Sequence, residues 1–248
     1  MEQRHASIAI VGAGDFIGAA IARRFAAEGF AVHGGRRQGD KLAPLANEFA
    51  ASGQRFTGHS LDARDETQVA AFLDAAEADG PLAAVIFNIG ANVQFPLTAT
   101  SERVFRKVWE MACYAGFLTG REAATRMLAQ GGGGSIFFTG ATASLRGGAG
   151  YAAFASAKAG LRAMAQSMAR ELGPQGIHVA HLVIDAGVDT AWMRERIAAA
   201  KGANAVADMP PDTLMDPAAI AETYWQLHRQ PRSAWTHELD LRPFGESW

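Results

Sequence analysis

Three glycines in Val11-Gly12-Ala13-Gly14-Asp15-Phe16-Ile17-Gly18 stand between a β-branched run, residues 7–11, and an alanine-rich run with apolar residues at helical spacing, residues 17–28. A glycine turn between strand and helix lets backbone N–H groups approach a pyrophosphate, and the N-terminus of the following helix adds a favourable dipole. Gly12, Gly14 and Gly18, with Phe16 and Ile17 completing the turn, are therefore candidates to hold a phosphate-bearing nucleotide. Their spacing is G-x-G-x-x-x-G, one residue longer than the usual dinucleotide turn. The next apolar run ends at Gly34-Gly35-Arg36-Arg37. An acidic residue there would accept a hydrogen bond from a ribose 2′-hydroxyl, whereas two guanidinium groups suit a 2′-phosphate.

Other reactive side chains are sparse. Cys113 is the only cysteine, which excludes an intrachain disulfide, a Cys-rich zinc site and a CxxC redox pair, and fits a reducing compartment. His178 and His181 lie three apart on one strand-like run and so face opposite ways, while His228 and His237 have no ligand partners nearby in sequence. No metal site is expected. With 23 Lys and Arg against 25 Asp and Glu, the net charge of −2 gives no electrostatic grip on nucleic acid or an anionic membrane. The expected partner is a small molecule. The first residues carry no signal-peptide core, and no apolar run reaches the roughly 20 residues of a membrane span, so a cytoplasmic protein is expected.

The elements that must position these residues alternate along the chain. Short β-branched runs are each followed by a longer run at helical spacing: 7–11 then 17–28, 30–34 then 40–52, 82–87 then 101–129, 135–139 then 152–172, and 177–184 then 216–228. Residues 55–60 and 236–240 supply two further strands. Such alternation predicts an α/β fold, a doubly wound, mostly parallel seven-stranded sheet with helices on both faces. No Pro- or Ser-rich linker interrupts it, so residues 1–248 read as a single domain. Residues 188–215, with Met209-Pro210-Pro211-Asp212, break the periodicity and are a candidate lid over a site. The run Gly131–Gly134 joins a helix to a strand and reads as a structural turn.

These motifs, in this order, resemble the short-chain dehydrogenase/reductase family over nearly the whole chain. Gly12 to Gly18 align with the family's T-G-x-x-x-G-x-G, with Phe16 in place of the middle glycine. Leu61-Asp62 is similar to the segment carrying an adenine-contacting Asp, and Asn88-Ile89-Gly90-Ala91 to the N-A-G that ends the fourth strand beside the cofactor. The resemblance implies a Rossmann fold, a dinucleotide bound by Gly12, Gly14, Phe16, Ile17, Gly18, Arg36, Arg37, Asp62, Asn88, Gly90, Lys158 and Thr190, and pairing of the long helices 101–129 and 152–172 between subunits of a homodimer or homotetramer. The two arginines favour NADP(H) over NAD(H).

The catalytic positions depart from the family pattern. Its Tyr and Lys, one helical turn apart, fall on Phe154 and Lys158; its Ser, 13 residues upstream of the Tyr, falls on Ala141; its Asn falls on Cys113. A phenyl ring has no exchangeable proton, and positioned acid–base help accounts for about 10²–10⁴-fold in rate. Proton transfer would have to pass to Lys158, to Tyr151 three residues before Phe154, to Asp185, or to water. Asp185 and Thr190 fall where the family has P-G-x-x-x-T, and a carboxylate at a strand's C-terminal end could attract an oxidised nicotinamide, pair with Lys158, act as a base, or merely cap a loop. The expected function is an NADP(H)-binding oxidoreductase acting on a carbonyl or alcohol with an atypical proton donor. A non-catalytic nucleotide-binding protein and a non-redox lyase or isomerase on the same scaffold remain alternatives.

Overall fold

The computed structural model describes residues 6–246. Seven strands, β1 (Ser7–Val11), β2 (Ala31–Arg36), β3 (Phe56–Ser60), β4 (Leu82–Phe87), β5 (Ser135–Thr139), β6 (His178–Ile184) and β7 (Glu238–Leu241), form one sheet in the order β3-β2-β1-β4-β5-β6-β7. Every pairing within it is parallel, where the sequence led us to expect only most of them to be. The last connection explains the difference. From β6 the chain crosses through α8 (Ala191–Lys201), α9 (Asn204–Ala207) and α10 (Pro217–His228), long enough to bring β7 back in the same direction.

Alternation along each strand divides the interior in two. Ile8 and Ile10 of β1 point to the side covered by α1 (Ile17–Ala27), α2 (Ala43–Ala51) and α10, whose Phe25, Phe49 and Tyr224 are fully buried there. Ala9 and Val11 point to the side covered by α3 (Glu66–Ala78), α5 (Ala115–Ala129) and α7 (Ala152–Leu172). Two apolar faces make β1 and β6 continuous buried runs, as a sheet covered on both sides requires.

Two helices differ from the sequence reading. The alternation of strand and helical runs places no helix after Leu61-Asp62, yet α3 begins at Glu66 because the Asp65 carboxylate accepts from the Thr67 and Gln68 amides. Its apolar stripe, Val69, Phe72, Leu73 and Ala76, follows at helical spacing. The helix expected over 101–129 is α4 (Glu102–Trp109) and α5 joined by one π-helical turn, Glu110–Tyr114. Gly131 to Gly134 all have positive φ, between 82° and 101°, so this turn is built from conformations that only glycine adopts freely. A short helix, α6 (Thr142–Leu145), follows β5.

Candidate active site

The strand order reverses between β1 and β4, and open parallel sheets bind ligands at the carboxyl ends of the strands on either side of such a point. Two adjoining cavities open there. One of about 630 Å³ lies over the ends of β4, β5 and β6, and one of about 480 Å³ over the ends of β1, β2 and β3. Gly12, Gly14, Asn88, Ile89 and Gly90 wall both, so the two form one groove across the sheet edge.

The glycine turn is fixed from below and open above. At Gly12, φ is 95°, and an added Cβ would lie 2.7 Å from the Asn88 carbonyl oxygen. Gly18 is equally confined, since its Cβ would lie 2.7 Å from Ala13 Cα. Asn88 Nδ2 donates to the Gly12 carbonyl at 3.1 Å and its Oδ1 accepts from Thr139 Oγ1 at 2.9 Å, tying together the ends of β1, β4 and β5. Gly14 and Gly90 are different. Neither has positive φ, and a Cβ on either would meet nothing within 4 Å, so packing against the protein does not demand glycine there. Both face the groove, and a Cβ would take up space that a bound group could otherwise use. Phe16, the N-cap of α1, gives no side-chain cap, which leaves the helix's first amides for an anion. This floor fits the pyrophosphate of a dinucleotide.

Arg36, Arg37 and Asp62 all line the second cavity. The Arg36 guanidinium donates to Asp15 Oδ1 at 2.8 Å across an exposed pair. Asp62 is engaged by Arg64 at 2.5 and 2.9 Å, and those hydrogen bonds hold its carboxyl below the usual range.

In the larger cavity the central group is Lys158, 2% exposed on α7. Its ammonium donates to the Thr139 carbonyl at 2.8 Å and the Ile89 carbonyl at 3.0 Å, and burial pushes its pKa down to about 8. Phe154, one turn earlier, lines the same cavity, as do Ala141 and Tyr151, the residue that caps α7. Ile17, Gly18 and Thr190 complete the expected set on its walls; the Thr190 hydroxyl oxygen also caps α8 by accepting from the Met193 amide at 3.0 Å.

Cys113 is not on the wall. It sits in the π-helical turn against Gly160 of α7, and burial pushes its thiol up. Asp185 corrects another expectation, because it does not pair with Lys158. Its 2%-exposed carboxylate accepts from Arg242 at 2.5 and 2.9 Å and from Arg146 at 3.2 and 3.3 Å. Burial would raise this carboxyl, but hydrogen bonds from Thr142, Arg242 and Arg146 outweigh it and hold it below the usual range. A carboxylate so committed is a poor base. Arg146 is a wall residue that the sequence reading did not single out, and Trp192 and Met193 enter the wall from the segment 188–215 read as a candidate lid. Arg146 left a signal, being the only charged side chain between Arg126 and Lys158.

Among the described residues no group of three or more His, Cys, Asp or Glu could hold a metal ion, and no helix is long and apolar enough to cross a membrane. A solved short-chain dehydrogenase from Rhodopseudomonas palustris is 58% identical, superposes with a TM-score of 0.82, and covers 97% of this chain and 100% of its own. An alcohol dehydrogenase from the archaeon Thermococcus sibiricus, solved with 5-hydroxy-NADP, is 26% identical with a TM-score of 0.81 and 98% of each chain covered. A short-chain dehydrogenase/reductase of Hericium erinaceus is 34% identical over 173 residues, 68% of this chain and 69% of that protein. The short chain dehydrogenase family model matches residues 6–201, and with a groove of this form at the sheet's switch point the chain belongs to that oxidoreductase family.

Proposed function

We propose that the chain is an NADP(H)-dependent oxidoreductase that interconverts a carbonyl and an alcohol, with Lys158 as the proton-transferring group in place of the family's tyrosine. The observation that carries this reading is the buried Lys158 amine, held near pKa 8 on the wall of a groove whose floor is the open glycine turn. Gly12, Gly14, Gly18 and Gly90 would receive the pyrophosphate, Asn88 would hold the turn, Asp62 would face the adenine side, and Arg36 and Arg37 would meet a 2′-phosphate. When bound, the nicotinamide would exchange a hydride with the carbonyl carbon.

An ammonium has three N–H donors, and two of them are taken by Thr139 and Ile89 carbonyls. The third is the proton that Lys158 Nζ hands to the substrate oxygen in reduction, with Tyr151 as a second donor on the same wall. In alcohol oxidation the neutral amine takes that proton back. Phe154 and Ala141 keep the surroundings apolar, which is what lowers the amine's pKa into the working range. The reading also includes a candidate lid over 188–215 and pairing of two copies.

The sign of the pH dependence follows. Below about 8 the ammonium is available and reduction is fast; raising pH through 8 removes the proton, so reduction falls while oxidation rises. The test is turnover of a carbonyl panel with NADPH between pH 6 and 10, for wild type, Lys158→Met and the double variant F154Y/A141S. Wild-type reduction that declines through about pH 8 and drops by about 10²–10⁴-fold in Lys158→Met is expected. A wild type that binds NADPH but reduces nothing, while the double variant gains turnover, would overturn the reading.

A further inference from the structure

The cavity that holds Lys158 is walled mainly by apolar groups, Ala143, Phe154, Val188, Trp192 and Met193 among them, yet one guanidinium, Arg146, also faces it. That side chain is 56% exposed, while the carboxylate it reaches, Asp185, is 2% exposed. Asp185 is shared unequally. Arg242, 12% exposed, takes the short contacts at 2.5 and 2.9 Å, and Arg146 the long ones at 3.2 and 3.3 Å. One carboxylate cannot neutralise two guanidinium groups. Asp240 approaches this cluster only at 3.8 Å, and it does so on the Arg242 side. Arg146, half exposed at the cavity wall and holding only the long contacts to Asp185, is therefore the guanidinium of the two that is free to engage a further anion. Its planar fork matches a carboxylate in two parallel hydrogen bonds.

We propose that Arg146 receives a carboxylate on the substrate, so that this site takes a carboxylic acid with an apolar body carrying the reacting carbonyl or alcohol. The inference rests on the oxidoreductase reading for the reaction, though not for the binding. Asp185 acts as a positioning residue: it holds Arg146 at the rim from beneath while Arg242 satisfies most of its charge. The apolar walls take the body of the acid, and Trp192, 53% exposed, is the largest surface available to cover it.

The experiment measures binding first, with the full chain in the presence and absence of NADP⁺, using 4-phenylbutyrate and its uncharged amide as probes in titration calorimetry. Wild type is expected to bind the acid at least about tenfold more tightly than the amide, the scale of a charge-assisted pair. Arg146→Gln should erase that ratio, Arg146→Lys should keep part of it, and all three should bind NADP⁺ alike. Equal binding of acid and amide by wild type, or binding of neither, overturns the proposal. So does an Arg146→Gln protein that loses NADP⁺ affinity while keeping the acid preference, because the guanidinium would then serve the cofactor. Turnover of keto acids against their methyl esters is the second readout. An acid preference in binding without any reduction would leave the carboxylate site standing and remove the oxidoreductase reading instead.

Discussion

At the scale of single residues, a side chain was legible in the sequence where its role depends on its neighbours in the chain. The glycines of the turn and Lys158 one helical turn after Phe154 are of this kind, and they line one groove. Asp185 was not legible, because its partner Arg242 stands 57 positions away and no local pattern connects them. The Arg36 and Arg37 pair lies between these cases. The sequence places two guanidinium groups at the end of β2, and the fold adds Asp15 from the glycine turn as the partner of Arg36. That pair is exposed, with Asp15 68% open, so little stability is lost when the guanidinium exchanges it for another anion. A 2′-phosphate of higher charge should win that exchange. Arg36→Asp is therefore expected to weaken NADPH binding by roughly tenfold or more and NADH binding much less, since a charged hydrogen bond is lost only with the phosphorylated cofactor. Fluorescence titration of both nucleotides checks this; an equal loss for the two would remove the 2′-phosphate role.

At the scale of elements, periodicity located the inner strands β1, β4, β5 and β6 closely because each is a short run buried on both faces, whereas the edge strands β3 and β7 are partly exposed and carry a weaker pattern. What it could not locate was anything set by hydrogen bonding in three dimensions. The π-helical turn at Glu110–Tyr114 is one example: it widens a helix that the sequence presents as continuous, and turns Ala112 and Cys113 inward toward α7. The segment 188–215 is the other. Its irregular sequence suggested a lid, and it contains α8, an eleven-residue helix with no buried residue. The segment is tied by the Val188 to Met215 bridge and by the Gly245 amide, which donates to the Asp212 carbonyl at 3.1 Å, while α8 itself is held mainly by contacts within the segment. On the proposed lid reading, an element with no buried residue would open at low cost, and burying Trp192 on a ligand would favour its closing. Trp192→Ala should accordingly raise KM for the carbonyl substrate about tenfold, the value of part of a large aromatic surface, and leave NADPH affinity nearly unchanged. Steady-state kinetics with both ligands varied decides it; an unchanged KM would mean that α8 does not close over the substrate.

For the whole molecule, the sheet and its two covering layers bury most of the large apolar side chains, and among those left exposed four aromatic ones form a row. Phe105, Trp109, Tyr114 and Phe117 run along α4, the π-helical turn and α5, and each is between 37% and 42% exposed. Trp109 stacks on Tyr114 and Tyr114 on Phe117, both with ring centroids 6.3 Å apart, so the rings are pre-ordered without being covered. A contiguous aromatic strip of this kind is uncommon on a surface meant for water and is the sort of patch that pairs with another protein surface. The proposed pairing of two copies places this strip against its own copy around a two-fold axis, the arrangement in which one patch serves both partners. The strip is also the outer side of the turn whose inner side carries Ala112 and Cys113 against α7, the helix of Lys158. Self-association would thus brace the floor of the site from behind. Light scattering should give the wild type at least twice the mass of the chain, and W109E/F117E should give a monomer with a lower Tm and reduced kcat. A wild type that stays monomeric at micromolar concentration, or a variant that stays paired, would show that another surface, or none, does the pairing.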